Sequence, residues 1–204
     1  MLSRLIGTLI NFKAGISRRV INGPAIESFN GIGTVLSISI QNIDALTSTM
    51  PPDELVEFLS EKQNDAIGLI AKLNGLVADH IGGDVLAYWK NLDSASRHSE
   101  IEAAFSTALN IMKIYSPLVS VRIVLSFGDI FGDFYGPQKQ FQLRGAAVEY
   151  SRKLMIPPKE NFSNQAHLFL LSQKIVELLK INESKMQLTR HILGADEVFE
   201  LTGY

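Results

Sequence analysis

The stretch Pro51–Trp89, PPDELVEFLSEKQNDAIGLIAKLNGLVADHIGGDVLAYW, contains the features that decide the fold. It predicts a long helix, a short turn, and two strands joined at the tight corner Gly82-Gly83-Asp84. Pro51-Pro52 suits the first helical turn, where a backbone N–H has no partner, and Gly75 is typical of a helix end. The helix carries one apolar stripe, as expected of a helix that packs on a sheet. Its members are Leu55, Phe58, Leu59, Ala66, Ile67, Ile70 and Leu73.

This stretch resembles the core of the class III adenylate and guanylate cyclases. The matching segments are PPDELVEFL at 51–59, LNGLVADHIGG at 73–83 and VLAYW at 85–89. In that family a Pro-Pro-x-Glu-Leu helix start leads into a hairpin with Gly-Asp at its turn. The resemblance extends from about Thr34 to the C-terminus. It implies an α+β fold, a ferredoxin-like sandwich in which helices pack on a mainly antiparallel sheet.

The remaining elements are predicted from apolar periodicity and turn residues. We expect a first, central strand at 34–40, a strand at 119–126 that continues to 135 as a hairpin or bulged strand, and strands at 167–171 and 197–201. Helices are expected at 100–115, at 146–155, and at 172–179 with Ser172 as the N-cap. Helices then interrupt antiparallel pairs, which also predicts an α+β sandwich.

Composition excludes several classes of protein. The 204 residues suit one domain with an N-terminal extension, and a net charge of −2 gives no electrostatic basis for nucleic-acid binding. The absence of cysteine excludes disulfides, thiolate metal sites and cysteine nucleophiles. Apolar runs stay below the roughly 18–20 residues of a membrane-spanning helix. We therefore expect a cytoplasmic protein.

Residues 1–30 are predicted to be a basic amphipathic helix and linker, and residues 31–204 the cyclase homology domain. Arg4, Lys13, Arg18 and Arg19 have no acidic residue before Glu27, and Gly23-Pro24 suits the end of the helix. A helix packed on the domain or on a second copy is the preferred interpretation, and we expect its deletion to weaken dimerisation or solubility. Binding to an anionic membrane surface is the less favoured alternative.

The resemblance implies where the chemistry would lie. Cyclising a nucleoside triphosphate requires charge neutralisation on the phosphates, commonly by two divalent metals held by carboxylates. The first metal aspartate falls on Ser39, in Ser-Ile-Gln-Asn where the family has Asp-Ile-x-Gly, and the second falls on Gly83. Asp84, one residue later, could replace the second carboxylate, or the Gly-Gly-Asp corner could be turn chemistry alone.

Four further positions follow from the same resemblance. The base-reading positions fall on Asp79, an acid that suits guanine, and on Gln142. On the third long helix the family's Asn and Arg, which act across a dimer interface, become Glu149 and Lys153. Lys153 keeps the charge but loses the planar fork of arginine, and the neighbouring Arg152 is expected to be solvated. Trp89 and Phe141 are expected in the core or at an interface.

Three hypotheses follow. The leading one is a catalytically degenerate cyclase homology domain, a homodimer or a heterodimer with a cyclase-like subunit, that acts as a regulatory or nucleotide-sensing module without a cofactor. The alternative is a divergent cyclase that uses Asp84, Ser39 and Lys153 with Mg²⁺ or Mn²⁺ and a nucleoside triphosphate. The third is an interaction domain without a nucleotide site. Binding without turnover, turnover, and no binding distinguish them.

Overall fold

The computed structural model describes residues 27–81, 83–91, 96–115, 119–156, 162, 167–181 and 186–203. The predicted N-terminal helix lies outside this part of the chain. The described residues form eight strands and five helices in an α+β arrangement. The strands are β1 Phe29–Ile40, β2 Leu76–Ile81, β3 Asp84–Asn91, β4 Val121–Tyr135, β5 Gln140–Arg144, β6 Leu168–Ser172, β7 Gln187–Leu193 and β8 Asp196–Gly203. The helices are α1 Ile43–Thr49, α2 Pro52–Lys72, α3 Arg97–Tyr115, α4 Ala146–Met155 and α5 Gln173–Leu179.

One sheet contains all eight strands, in the order β2-β3-β1-β4-β6-β8-β7, with β5 paired to β4. Only the β4–β6 pair is parallel among the described strands, so the sheet is mainly antiparallel, as predicted. The predicted first strand is also central, but it begins at Phe29 rather than Thr34. Asn30, Gly31 and Gly33 are therefore strand residues.

Helices α2 and α3 cover one face of the sheet and enclose the larger core cluster with Leu36, Ile38 and Ile123. The predicted stripe of α2 faces this core. Leu55, Leu59, Ala66, Ile67 and Ile70 are buried, and Phe58 packs half-buried against the cluster. Trp89 is buried in the same cluster and donates its indole N–H to the Leu73 carbonyl at 2.8 Å, which fixes the end of α2 beside β3.

Helix α4 packs on the opposite face of the sheet, where buried polar contacts set its position. Ser151 Oγ lies 2.5 Å from Ser37 Oγ of β1, and Ser126 Oγ donates to the Ala147 carbonyl at 2.8 Å. The buried Arg122 of β4 donates to the Met155 carbonyl at 2.7 Å, which satisfies one of the free carbonyls at the end of the helix. The helix is held beside the β2–β3 hairpin.

Three described elements were not predicted, the short helix α1, the strand β5 and the edge strand β7. Helix α1 has one buried residue, Leu46, and β7 alternates between exposed and half-buried positions. None of the described helices combines the length and the apolarity that a bilayer crossing requires.

Candidate functional site

A groove runs between the β2–β3 hairpin and α4, on the face of the sheet opposite α2 and α3. It consists of two adjoining cavities of about 470 and 500 Å³. Asp79, Leu86 and Arg152 line both cavities and join them into one surface. The first cavity also has Gln142, Arg144 and Glu149 among its polar residues. The second also has Ser37, Ser39, His80 and Asp84.

The groove brings together five of the seven residues that the family resemblance suggests for the site. Asp79, Gln142 and Glu149 line the first cavity, while Ser39 and Asp84 line the second. Gly83 lies next to Asp84 but does not line either cavity. Lys153 lies outside the groove, because its ammonium pairs with Asp196 at the start of β8.

Helix α4 therefore presents Arg152, not Lys153, to the groove. The Arg152 guanidinium lies 3.1 Å from the Glu149 carboxylate one turn earlier, and both side chains are more than half exposed. The sequence correctly predicted that Arg152 is exposed. The ion-pair partners of Arg152 and Lys153 decide which of the two cations borders the cavities. The sequence did contain a signal for this ion pair, because Glu149 and Arg152 are three residues apart on a predicted helix.

Arg144 is a second groove residue that the sequence analysis missed. Its guanidinium donates to Gln142 Oε1 at 2.6 Å and lies 4.3 Å from the Tyr135 ring centroid. It thus holds the Gln142 amide, which the resemblance places at a base-reading position. A strand arginine beside a glutamine is common on protein surfaces, so nothing in the sequence distinguished it.

The backbone at Gly83 is incompatible with an ordinary side chain. Gly83 has φ +96, and a Cβ atom there would lie 2.9 Å from Ile40 Cδ1. L-residues with a Cβ rarely adopt this conformation. The local fold therefore favours glycine at the position where the resemblance places the second metal aspartate, and a carboxylate side chain there would strain the turn.

Asp84 lies at the start of β3, opposite Ile81. Its side chain is exposed, and its backbone carbonyl accepts a hydrogen bond from Gln63 Nε2 of α2 at 3.3 Å. Burial, and next the carboxylates of Asp65 and Asp84, raise the pKa of Tyr115 on α3. The charge of Asp84 thus acts on the helix-covered side of the sheet as well as on the groove.

The residues present do not fit a two-metal site. At the family's metal positions Ser39 offers a neutral hydroxyl, Gly83 has no side-chain oxygen, and the neighbouring Asp84 supplies a single carboxylate. Across the described residues, no group of three or more His, Asp or Glu side chains is arranged to hold a metal ion. Divalent cations of this class prefer several oxygen ligands with at least one or two carboxylates.

The charges of the groove nearly balance. Asp79, Asp84 and Glu149 contribute negative charge, while Arg144 and Arg152 contribute positive charge. With His80 neutral the sum is −1, so the groove alone does not attract a free triphosphate.

Several solved structures with a similar architecture are adenylyl or guanylyl cyclases or their cyclase domains. The adenylyl cyclase CyaB from P. aeruginosa matches 88% of this chain and 97% of its own, with TM-score 0.69 and 14% identity. The non-canonical dimeric guanylyl cyclase domain of the RhoGC fusion protein from the aquatic fungus Blastocladiella emersonii matches 88% of this chain and 98% of its own, with TM-score 0.70 and 16% identity. The chain has the fold of the class III cyclase catalytic domains.

Other comparisons place limits on this assignment. A bacterial light-regulated adenylyl cyclase matches 98% of this chain with TM-score 0.68 and 18% identity, but this chain spans only 63% of that protein's length. No family profile and no curated protein sequence matches the chain. The cyclase fold is thus identified at a sequence identity too low to transfer an activity, since function depends on the residues of the site.

Proposed function

We propose that this chain is a catalytically degenerate cyclase homology domain that works as a regulatory module, by dimerisation and by nucleotide binding in the groove. One observation carries the proposal: the two positions that would hold metal carboxylates are Ser39 and a glycine with φ +96. A position that requires glycine cannot supply a metal ligand from its side chain.

The loss of both carboxylates would remove the main electrostatic contribution to catalysis. Without them a magnesium ion is held mainly by the triphosphate and water, and neither of the two family metal positions offers a carboxylate that would fix it against the α-phosphate. Removing one preorganised electrostatic group commonly reduces a rate by about a hundred- to a thousandfold. Such losses are not additive, but two together bring turnover close to the uncatalysed rate.

Nucleotide binding makes smaller demands on the groove than catalysis does. Asp79 and Gln142 lie in the first cavity, where a base could accept and donate hydrogen bonds, and Arg152 borders the second cavity, where phosphates would lie. The ion pair between Arg152 and Glu149 is solvent-exposed, and such pairs contribute only about 0.3–0.5 kcal/mol. A phosphate group can therefore compete with Glu149 for the guanidinium.

The test combines ligand-induced stabilisation with product analysis. Any ligand that binds the native state raises the melting temperature. We expect GTP with Mg²⁺ to raise it more than ATP does, and we expect no 3′,5′-cyclic nucleotide with Mg²⁺ or Mn²⁺. The Arg152→Ala variant should lose most of the ligand-induced shift, while Lys153→Ala, its neighbour outside the groove, should keep it.

Two results would overturn the proposal in different ways. The absence of any stabilisation by a triphosphate would remove nucleotide binding and leave an interaction domain. Cyclic product in proportion to protein, lost in Asp84→Ala, would establish the alternative of a divergent cyclase. Ser39 and Asp84 line the same cavity, which makes this variant the informative one.

A further inference from the structure

Three of the five exposed large apolar side chains among the described residues lie at one end of the sheet. Ile32 of β1 and Phe131 and Phe134 of β4 are 38%, 39% and 41% exposed. The other two, Ile156 and Ile192, lie in different parts of the fold. Phe134 projects from the opposite face of β4, where its ring contacts Phe141. Single exposed apolar residues are ordinary, but a group such as Ile32 and Phe131 on one face indicates a contact surface.

Strand pairing places Ile32 and Phe131 on the same face of the sheet. Asn30 pairs with Phe131 and Ile32 with Asp129, so alternate residues of both strands project to the side covered by α2 and α3. The contact of α3 with this face reaches Phe127, whose ring centroid lies 5.9 Å from the Arg97 guanidinium. Beyond Phe127, the exposed residues Asp129, Phe131 and Asp133 alternate acid, aromatic and acid. We call Ile32, Phe131 and the two aspartates the amino-end patch.

The chain enters the domain beside this patch. Ser28 Oγ donates a hydrogen bond to Asp133 Oδ1 at 2.7 Å, and β1 begins at the next residue. The segment before Ser28 therefore leaves the domain two residues along β4 from Phe131. Residues 1–26, which lie outside the described part of the chain, start from this point.

The composition of that segment complements the patch. Its apolar residues are Leu2, Leu5, Ile6, Leu9, Ile10, Ile16 and Val20, and its charged residues are Arg4, Lys13, Arg18 and Arg19. The patch offers apolar side chains flanked by two carboxylates. The eight residues 21–28 can span up to about 26 Å, which is enough for residues 2–20 to turn back onto the same domain.

We propose that residues 2–20 dock on the amino-end patch of their own domain. Apolar side chains of the segment cover Ile32 and Phe131, while its basic residues face Asp129 and Asp133. The short tether favours the same chain over a second copy, because it keeps the effective concentration of the segment in the millimolar range. The proposal is independent of nucleotide binding and of turnover.

The absence of cysteine from the chain permits a direct test with single spin labels. A nitroxide on Asn30→Cys, an exposed β1 residue opposite Phe131, should broaden the methyl resonances of Leu2, Leu5 and Leu9. The same label on Ile192→Cys, an exposed position on the edge strand β7, is the control and should leave them sharp. Both labelled proteins are studied at low concentration.

A mixed sample distinguishes docking within one chain from docking on a second copy. Isotope-labelled protein without nitroxide is mixed with unlabelled protein that carries it, so broadening in the mixture can come only from a second copy. Broadening that occurs only when the nitroxide and the isotope label are on the same chain supports the proposal. Broadening in the mixture, no broadening at all, or broadening that appears only with anionic phosphatidylserine vesicles overturns it.

Limited proteolysis provides a second measurement that needs no label. Trypsin cuts after Arg4, Lys13, Arg18 and Arg19, and docking should slow these cuts. Phe131→Ser should increase their rate about tenfold, as expected for the loss of one apolar contact of about 1.4 kcal/mol. Ile192→Ser should leave the rate unchanged. Equal rates in the wild type and in Phe131→Ser would contradict the proposal.

Discussion

Tyr88 and Tyr150 are two interior tyrosines of which only one hydroxyl has an acceptor. The Tyr150 hydroxyl donates to the Glu197 carbonyl at 3.0 Å. The Tyr88 hydroxyl is buried in a stack with Phe29 and Phe141 and has no partner within the described structure. At pH 7 we expect Tyr150→Phe to lower the free energy of unfolding by about 0.5–1.5 kcal/mol and Tyr88→Phe to leave it unchanged or raise it. Urea denaturation of both variants tests this contrast.

The same two residues give a prediction at alkaline pH. Burial raises the pKa of Tyr88 to about 12, and burial together with the Asp196 carboxylate raises the pKa of Tyr150 to about 12. Both ordinary values are near 10, so the folded state holds protons that the unfolded state releases. The stability they contribute is complete below pH 10 and is lost as the pH rises towards 12. Either Phe variant should flatten this decline, and an unchanged slope in both would contradict the assignment.

At the scale of the element, the β2–β3 hairpin depends on the glycine at position 83. Gly83→Ala forces a side chain into φ +96 and against Ile40, so we expect the free energy of unfolding to fall by about 1–3 kcal/mol. Gly68 is the matched control, because it lies exposed in α2 with nothing within 4 Å of an added Cβ. Gly68→Ala should stabilise by about 0.5–1 kcal/mol. Equal effects of the two substitutions on thermal unfolding would contradict this account.

The elements that the sequence predicted are those with strong local signals. Helix α2 has its proline start, its apolar stripe and Gly75, and α4 runs over 146–155 as predicted. Helix α1 lacked such a signal, since it has seven residues and its Thr47 and Ser48 hydroxyls bond to backbone carbonyls of the same helix. Strand β7 is a polar edge strand, for which alternation is weak.

The sequence predicted which positions lie near the groove, but not which side chains face it. The register of the resemblance selected Ser39, Asp79 and Asp84, and the structure brings these three residues to one cavity of the groove. The sequence could not predict that Arg152 rather than Lys153 borders the groove. This outcome depends on the ion pair of Lys153 with Asp196, which lies 43 residues away along the chain. Contacts between distant elements decide which side chain of a helix faces a cavity.

At the scale of the whole molecule we predict a dimer. Ile156, at the end of α4, is 82% exposed and lines the second cavity beside Met155, so an apolar surface borders the groove. Sedimentation at tens of micromolar should give a dimer, and Ile156→Asp should weaken the association about tenfold or more. Ile192→Asp is the control, because it makes the same substitution at an exposed isoleucine on β7. A monomer with and without nucleotide would contradict the homodimer, while a heterodimer with a cyclase-like subunit would then need a separate test.

The last prediction concerns restoring the lost metal ligands. Ser39→Asp should be tolerated, because Ser39 is half-buried and faces the groove, whereas Gly83→Asp must adopt φ +96 and should destabilise the hairpin. We expect the double variant to remain inactive with Mn²⁺ and each of the four nucleoside triphosphates, measured as cyclic product by chromatography. Glu149 would still hold the Arg152 guanidinium that a phosphate needs, and Lys153 would still pair with Asp196. Addition of Glu149→Asn to the double variant removes the first of these obstacles. Cyclic product from the double variant alone would show that the metal ligands were the only deficiency, and that Glu149 does not oppose the reaction.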